Sequence, residues 1–307
     1  MFKWPGTPSP KASAHELADY TELVCWKQGN TSTTNLSADL GRLEENHYPD
    51  GVLEEDESSG IVEETYQEIE QRRKACRDGY PFALDEQGYS LSTNRDSGSD
   101  KHIIYKYLLL ATRLNMKDNR VHADIDGALL FEKLAAEAAR NYLGARAESF
   151  VFGTAAGTVD FPGKVDALCG KIREGKGFEN SGNAPKNQKD GKLDVVVWID
   201  FADGRPGKLI AFGQCKTGTY YQDTLTQLHP DAFCKKWLKS PLILTPVRVF
   251  FVAEALSPSL WHNASCDAGL LFDRCRIVDF CDDISSEVLE EVTTWTRAAA
   301  RAEGLPC

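Results

Sequence analysis

Two apolar stretches joined by a short polar connector constrain the fold more than any other part of this sequence. Residues 191–200 (GKLDVVVWID) and 208–216 (KLIAFGQCK) are rich in β-branched and aromatic side chains, and residues 203–207 (DGRPG) lie between them. Such side chains favour strands, whereas Gly, Pro and Asp favour the turns that join strands. The pattern therefore predicts an antiparallel hairpin.

Three polar residues are expected to meet at the open end of this hairpin. Gln214 and Lys216 are two positions apart, so their side chains point to the same face of a strand. Asp194 lies near the start of the first strand, which simple hairpin pairing brings beside the end of the second. An acid, an amide and a lysine would then converge. The alternative is a buried edge hairpin in which Lys216 has no special role.

These three side chains are of the kinds that metal-dependent hydrolysis of a phosphodiester requires. A divalent cation is held by carboxylate and carbonyl oxygens, which Asp194, the Gln214 amide and the backbone carbonyl of Cys215 would supply. Lys216 would orient the attacking water or stabilise the developing negative charge. The expected cofactor is Mg²⁺ or Mn²⁺.

The order of Asp194, a hairpin and Gln214-x-Lys216 resembles the PD-(D/E)XK nuclease superfamily, which has a restriction-endonuclease-like fold. Gln at the second acidic position occurs in branches of that superfamily, including Mrr-like restriction enzymes. The resemblance covers residues 121–280 and leaves the first hundred unexplained. Two departures are the long spacing between Asp194 and Gln214, which the loop at 200–207 accounts for, and the absence of a Pro before Asp194.

The family usually carries a catalytic Glu on the helix before the hairpin. Residues 127–132 (GALLFE) match the common Gly-x-x-x-Phe-Glu form, so the resemblance implies that Glu132 is a further catalytic residue and metal ligand. Asp126 is expected to cap this helix, which should run from 128 to 143. Glu137 is a second candidate but lies about 140° from Glu132 around the helix axis. An exposed helical Glu is the alternative for either residue.

We expect an α/β protein with two regions. Residues 1–120 should form an acidic, mostly helical accessory region. Residues 121–307 should form the nuclease-like domain, a mixed central sheet flanked by helices in the order helix, strand, insert, strand, strand, helix, strand. The pattern predicts strands at 148–152, 247–253 and 276–280, and helices at 61–76, 103–116, 165–172 and 284–301.

The charge is distributed unevenly along the chain. Residues 1–100 hold 9 Lys and Arg against 20 Asp and Glu, so the whole net charge of −11 lies there and the remainder is neutral. Such asymmetry suggests two regions with different partners. The acidic third is expected to disfavour DNA locally and either to bind a protein partner or to restrain the nuclease, although a solvated helical surface is the plainer interpretation.

Other features of the sequence limit the functional classes. Nine cysteines without any Cys-x-x-Cys pair indicate free thiols in the cytoplasm. Apolar runs are too short to span a membrane. No P-loop is present, so an ATPase or helicase would have to act in trans.

The function implied by the resemblance is a metal-dependent nuclease, with DNA favoured over RNA, acting in bacterial restriction or anti-phage defence. The alternatives are a catalytically silent subunit that binds nucleic acid or a partner protein through the same fold, and an unrelated α/β enzyme in which Asp194 and Lys216 are structural.

Overall fold

The computed structural model describes residues 1–9, 11–47, 55–94, 99–153, 159–181 and 191–306. Within these ranges the helices are α1 Ala14–Gln28, α2 Thr33–His47, α3 Glu55–Cys76, α4 Asp100–Arg113, α5 Gly127–Leu143, α6 Phe161–Ile172, α7 Pro230–Trp237, α8 Pro258–Ala268, α9 Arg274–Asp279 and α10 Ser286–Ala302. The strands are β1 Asn30–Ser32, β2 Phe82–Leu84, β3 Ser90–Thr93, β4 Val121–His122, β5 Ile125–Asp126, β6 Ala147–Val151, β7 Val195–Ile199, β8 Ile210–Lys216, β9 Val247–Val252 and β10 Leu270–Phe272.

A mixed five-stranded sheet forms the centre of the molecule, with the strand order β10-β9-β8-β7-β6. The predicted hairpin is confirmed, because β7 and β8 pair antiparallel from Val195 with Gly213 to Trp198 with Ile210. Strand β6 adds antiparallel to β7, whereas β8, β9 and β10 run parallel to one another. Helix α7 follows β8 and leads into β9. The α/β class and the predicted element order from α5 to β9 are therefore confirmed.

Both faces of the sheet are covered, which explains why β7 is a continuous apolar run rather than an alternating one. Val195 and Val197 belong to the core that also contains α4, α5 and α10. Val196 and Trp198 point to the opposite face and pack in a second core with residues of α6 and α7. Successive side chains of β7 therefore pack against the helices on opposite faces of the sheet.

Helix α5 begins where the sequence predicts, and its N-terminus is held firmly. The Asp126 carboxylate accepts hydrogen bonds from the N–H groups of Ala128 and Leu129, at 2.9 and 3.4 Å. A side chain at Gly127 would meet the indole of Trp295 at 2.7 Å, so only glycine permits this contact with α10. Capping and close packing together position the first turns of α5 over the sheet.

The acidic N-terminal region shares its core with the rest of the chain. Helices α1, α3 and α4 lie in the same apolar cluster as α5, α10 and the sheet. A buried ionic cluster, formed by Asp19 and Glu22 of α1, Arg72 of α3, Arg113 of α4 and Arg274 of α9, joins them further. The boundary near residue 120 stays a prediction.

One predicted strand is wrong. Residues 276–280 belong mainly to helix α9, and the strand of this region is β10, six residues earlier. The Asp273 carboxylate caps α9 by accepting a hydrogen bond from the N–H of Arg276 at 3.1 Å. A short apolar run such as Ile277-Val278 fits a buried helix as well as a strand, so periodicity alone could not separate them.

Among the described residues, no helix combines the length and the apolar character that crossing a membrane requires.

Candidate functional site

Asp194 closes the open end of the β7–β8 hairpin. Its backbone carbonyl accepts hydrogen bonds from the N–H groups of Phe152 and Gly153, at 2.7 and 3.1 Å. Its own N–H donates to the carbonyl of Gly213 at 2.9 Å. Its carboxylate oxygen Oδ2 accepts a hydrogen bond from the N–H of Cys215 at 2.7 Å. Asp194 thus forms hydrogen bonds both to the end of the β6 segment and to β8. Its carboxylate accepts the hydrogen bond from Cys215 in place of the backbone carbonyl that a longer β7–β8 ladder would provide.

This hydrogen bond places the carboxylate of Asp194 against the backbone between Gln214 and Lys216. The N–H and C=O groups of one strand residue point to the same side of the strand. The carbonyl of Cys215 is therefore directed to the side where the Asp194 carboxylate lies. The carboxylate and the backbone carbonyl named from the sequence thus lie on the same side of the end of β8.

Glu132 reaches the same region from helix α5. A Cβ atom added at Gly153 would overlap the carboxylate of Glu132, so this carboxylate packs directly on the Gly153 backbone. Gly153 in turn donates its N–H to the carbonyl of Asp194. One glycine therefore lies between the two carboxyl-bearing residues, and only a residue without a side chain permits this approach.

Glu132 and Lys216 line a common cavity of about 340 Å³ beside the end of β8. Helix α5 forms one wall, and the other wall is the end of β8 with the segment that follows it. The lining residues are Ala128, Phe131, Glu132, Cys215, Lys216, Thr217, Gly218 and Tyr220. Lys216 is half-buried, and its ammonium group forms no ion pair with any residue that the structure describes. A positive charge is thus available in a cavity large enough for a phosphate group.

The charges around the Cys215 thiol shift its pKa. Burial raises this pKa well above its usual value, the carboxylates of Asp194 and Glu132 raise it further, and the ammonium of Lys216 opposes them. The pKa of Tyr107 is raised in the same way, by burial first and then by Cys215 and neighbouring carboxylates. Both carboxylates and the lysine therefore act on one small region, and Cys215 is a poor thiolate nucleophile there.

Gln214 is the least accessible of the predicted site residues, with 1% of its surface exposed. Extending the β7–β8 register by one step places it opposite Asp194. Neither its amide oxygen nor its amide nitrogen has a hydrogen-bond partner among the described residues. A buried amide without partners is costly, by about 1–3 kcal/mol. This cost would be reduced if the amide oxygen bound a cation.

By chemical type, these oxygen donors suit a hard divalent cation. Two carboxylates, an amide oxygen and a backbone carbonyl are oxygen ligands of the type that Mg²⁺ and Mn²⁺ prefer. No group of three or more His, Cys, Asp and Glu side chains suited to a metal occurs within the described ranges. The proposed set contains only two such carboxylates, Asp194 and Glu132, and depends on neutral oxygens for the rest.

The alternative helix carboxylate, Glu137, has a structural partner. Its two oxygens accept hydrogen bonds from the N–H and the hydroxyl of Ser285, at 2.7 and 2.6 Å. Ser285 is the N-cap of α10, so Glu137 holds the start of that helix. Only Glu132 of the two lines the cavity.

Two residues near the site could not be identified from the sequence as contributors to it. Lys164 of α6 is buried, and its ammonium donates a hydrogen bond to the carbonyl of Gly153 at 2.5 Å. Lys164 and Gly153 together fix the backbone on which Glu132 rests. Their importance follows from the packing of α6 against the end of β6, which no local pattern of residues predicts.

No protein-family model matches this sequence, and searches of curated proteins and of solved structures find no match.

Proposed function

We propose that the protein is a metal-dependent nuclease that hydrolyses phosphodiester bonds, with DNA as its substrate. One observation carries the proposal: the Asp194 carboxylate is bound to the backbone between Gln214 and Lys216, and Glu132 is one glycine away. The strand topology supports it as well. An antiparallel β6-β7-β8 meander followed by α7 and a parallel β9 is the arrangement expected of a restriction-endonuclease-like core.

Each side chain has a distinct task in this proposal. Asp194, Glu132, the amide oxygen of Gln214 and the carbonyl of Cys215 hold the cation. When bound, Mg²⁺ or Mn²⁺ supplies Lewis-acid polarisation of the phosphate and a more acidic water. Lys216 orients that water or stabilises the negative charge that develops on the phosphate oxygens. The apolar wall formed by Ala128 and Phe131 shields these charges from bulk water.

The biological context belongs to the same proposal. The chain would act in restriction or in defence against foreign DNA, and a helicase or ATPase in trans would supply any strand separation. The acidic N-terminal region would bind that partner or restrain cutting. Deleting this region would not test that role alone, because the deletion would also disturb the fold. Helices α1, α3 and α4 share the core of the sheet, and Asp19 is an ion-pair partner of Arg274.

The decisive test compares nucleic-acid cleavage with and without divalent metal. The purified protein is incubated with plasmid, linear duplex DNA, single-stranded DNA and RNA, in Mg²⁺, Mn²⁺ or EDTA. The matched variants are Lys216→Ala and Lys74→Ala, because Lys74 is an exposed lysine of α3 that pairs with nearby Glu70. Asp194→Ala tests the metal ligand.

We expect metal-dependent DNA cleavage that Lys216→Ala reduces at least 10²–10³-fold, the usual effect of removing one group that stabilises the transition state. DNA affinity should fall much less, because many other phosphate contacts hold the ground state. Lys74→Ala should cut like the parent. Cleavage by Lys216→Ala at the parental rate would overturn the assignment.

A catalytically silent binding subunit is the second candidate, and Gln214 is the observation that favours it, since a neutral amide replaces the usual acid. This candidate predicts metal-independent DNA binding without any product in all metal conditions.

A further inference from the structure

Tyr220 is the most exposed large apolar side chain among the described residues, with 79% of its surface accessible. It lies on the segment that follows β8 and forms part of the cavity wall shared by Glu132 and Lys216. An exposed aromatic ring beside a positively charged side chain offers a face on which a nucleic-acid base can stack. A substrate bound in this cavity would therefore meet both the Tyr220 ring and Lys216.

The segment around Tyr220 is anchored on both sides. Thr219 and Tyr221 are buried, with 2% and 3% of their surfaces exposed, and Tyr221 packs in the core formed with Phe250 and α8. The backbone carbonyl of Tyr221 accepts hydrogen bonds from the N–H and the hydroxyl of Thr224, at 2.8 and 2.6 Å. The backbone on both sides of Tyr220 is thus fixed before any ligand binds, which lowers the entropic cost of binding.

Space and charge next to the ring suit a nucleotide. Apart from its chain neighbours, no described residue has an atom within 4 Å of the position that a Cβ atom would take at Gly218, so a sugar-phosphate backbone can approach there. Lys216 lines the same cavity, and its ammonium group forms no ion pair with the residues described. A phosphate near Lys216 would bring its adjoining base within reach of an aromatic ring at the cavity wall.

We propose that Tyr220 is a stacking platform for an unpaired base next to the scissile phosphate, so that the substrate is single-stranded DNA or an unpaired strand at a junction. In a duplex both faces of each base are covered by neighbouring bases, whereas an unpaired base exposes a face to an aromatic side chain. The inference rests on the proposed nuclease function, because it names the substrate of the same site.

Binding is measured in EDTA, so that the result does not depend on catalysis. Fluorescence anisotropy of a labelled single-stranded oligonucleotide, its duplex and the matching RNA is recorded for the parent, Tyr220→Ala and Tyr220→Phe. The matched control is Tyr89→Ala, since Tyr89 is also an exposed tyrosine, 62% accessible, but lies in the turn between β2 and β3. Circular dichroism checks that each variant is folded.

Tyr220→Ala should weaken binding of single-stranded DNA about 5- to 150-fold, which corresponds to 1–3 kcal/mol for one stacked base. Tyr220→Phe, Tyr89→Ala and all duplex affinities should stay within about twofold of the parent. Equal single-strand affinity of parent and Tyr220→Ala would overturn the platform, even if Lys216-dependent cleavage were found.

The two proposals can fail separately. A Tyr220-dependent preference for single strands without any metal-dependent product would support the platform and refute the nuclease. Tighter, Tyr220-dependent binding of RNA than of DNA would overturn the choice of DNA as the substrate.

Discussion

Replacing Asp19 with Asn should destabilise the whole protein, because this carboxylate is the centre of the buried ionic cluster. It is fully buried and accepts hydrogen bonds from Arg72 at 2.7 Å, Arg113 at 2.6 Å and Arg274 at 2.7 and 3.1 Å. Burial alone would raise the pKa of Asp19, but the three guanidinium groups outweigh it and hold the pKa well below its usual range.

Asp19→Asn keeps the volume of the side chain but removes its charge. Three buried cations then share the remaining carboxylates, of which Glu16, Glu22, Glu68 and Glu254 lie within 4 Å of at least one of them. Breaking a buried ion pair on one side costs about 3–5 kcal/mol, because the other charge stays buried and uncompensated. This is a large part of the roughly 5–15 kcal/mol by which folded proteins are usually stable.

Glu70→Gln is the matched control. Glu70 also accepts two hydrogen bonds from an arginine, Arg73, at 2.6 and 2.8 Å, but on the solvent-facing side of α3. The hydrogen bond from Arg73 lowers the pKa of Glu70 to about 2. Solvent screens such a pair, so its loss should cost less than about 1 kcal/mol.

The assay is urea unfolding at neutral pH, followed by circular dichroism and tryptophan fluorescence. Asp19→Asn should lower the urea concentration at the unfolding midpoint strongly, whereas Glu70→Gln should hardly change it. Both probes should report a single transition, because the helices before residue 120 share the core. Equal destabilisation by the two variants would refute the reasoning about burial. A separate early transition of the N-terminal region would refute the shared core.

Three further variants test the site and the buried cluster. Gly153→Ala should abolish cleavage by displacing the carboxylate of Glu132. Gly170→Ala should cut normally, because no described residue beyond its own helix backbone and chain neighbours has an atom within 4 Å of the new Cβ; both variants are checked by thermal unfolding. Gln214→Glu should retain cleavage and reach half-maximal rate at lower Mg²⁺, because it adds a charged ligand; complete loss in a folded variant would count against the metal site. Burial raises the pKa of Glu254 from 4.5 to about 7. The folded state then binds this proton more tightly than the unfolded state, so the stability it contributes is complete below about pH 4.5 and is lost as the pH rises through about 7. Urea unfolding measured at several pH values across this range should show that the free energy of unfolding of the parent falls as the pH rises, by on the order of 3 kcal/mol in total. Glu254→Gln should remove this pH dependence.

The local elements of this protein could be predicted from sequence because the signals lie among neighbouring residues. The β-branched runs and the turn between them define the β7–β8 hairpin, and Asp126 marks the start of α5 through its own carboxylate. Residues 276–280 show where such signals fail. This apolar run is too short to show whether its period is helical or that of a strand. Its helical structure is determined by the N-cap residue Asp273 and by packing.

The relations between distant residues were decided only by the tertiary structure. The sequence presented the acids of the first hundred residues as a solvated or partner-binding surface, yet Asp19 and Glu22 are buried against arginines of three other helices. Their burial depends on where those helices dock, and no spacing encodes it.

The candidate site combines both kinds of information. Hairpin pairing and strand alternation predict that Asp194, Gln214 and Lys216 are near neighbours, since Gln214 and Lys216 lie on β8 and Asp194 immediately precedes the paired strand β7. The approach of Glu132 over Gly153 and the support from Lys164 arise only when α5 and α6 pack on the sheet. The burial of the Gln214 amide without a hydrogen-bond partner among the described residues is likewise visible only in the folded structure. Periodicity and capping are properties of adjacent residues, whereas a site is built by contacts between segments that only the folded core brings together.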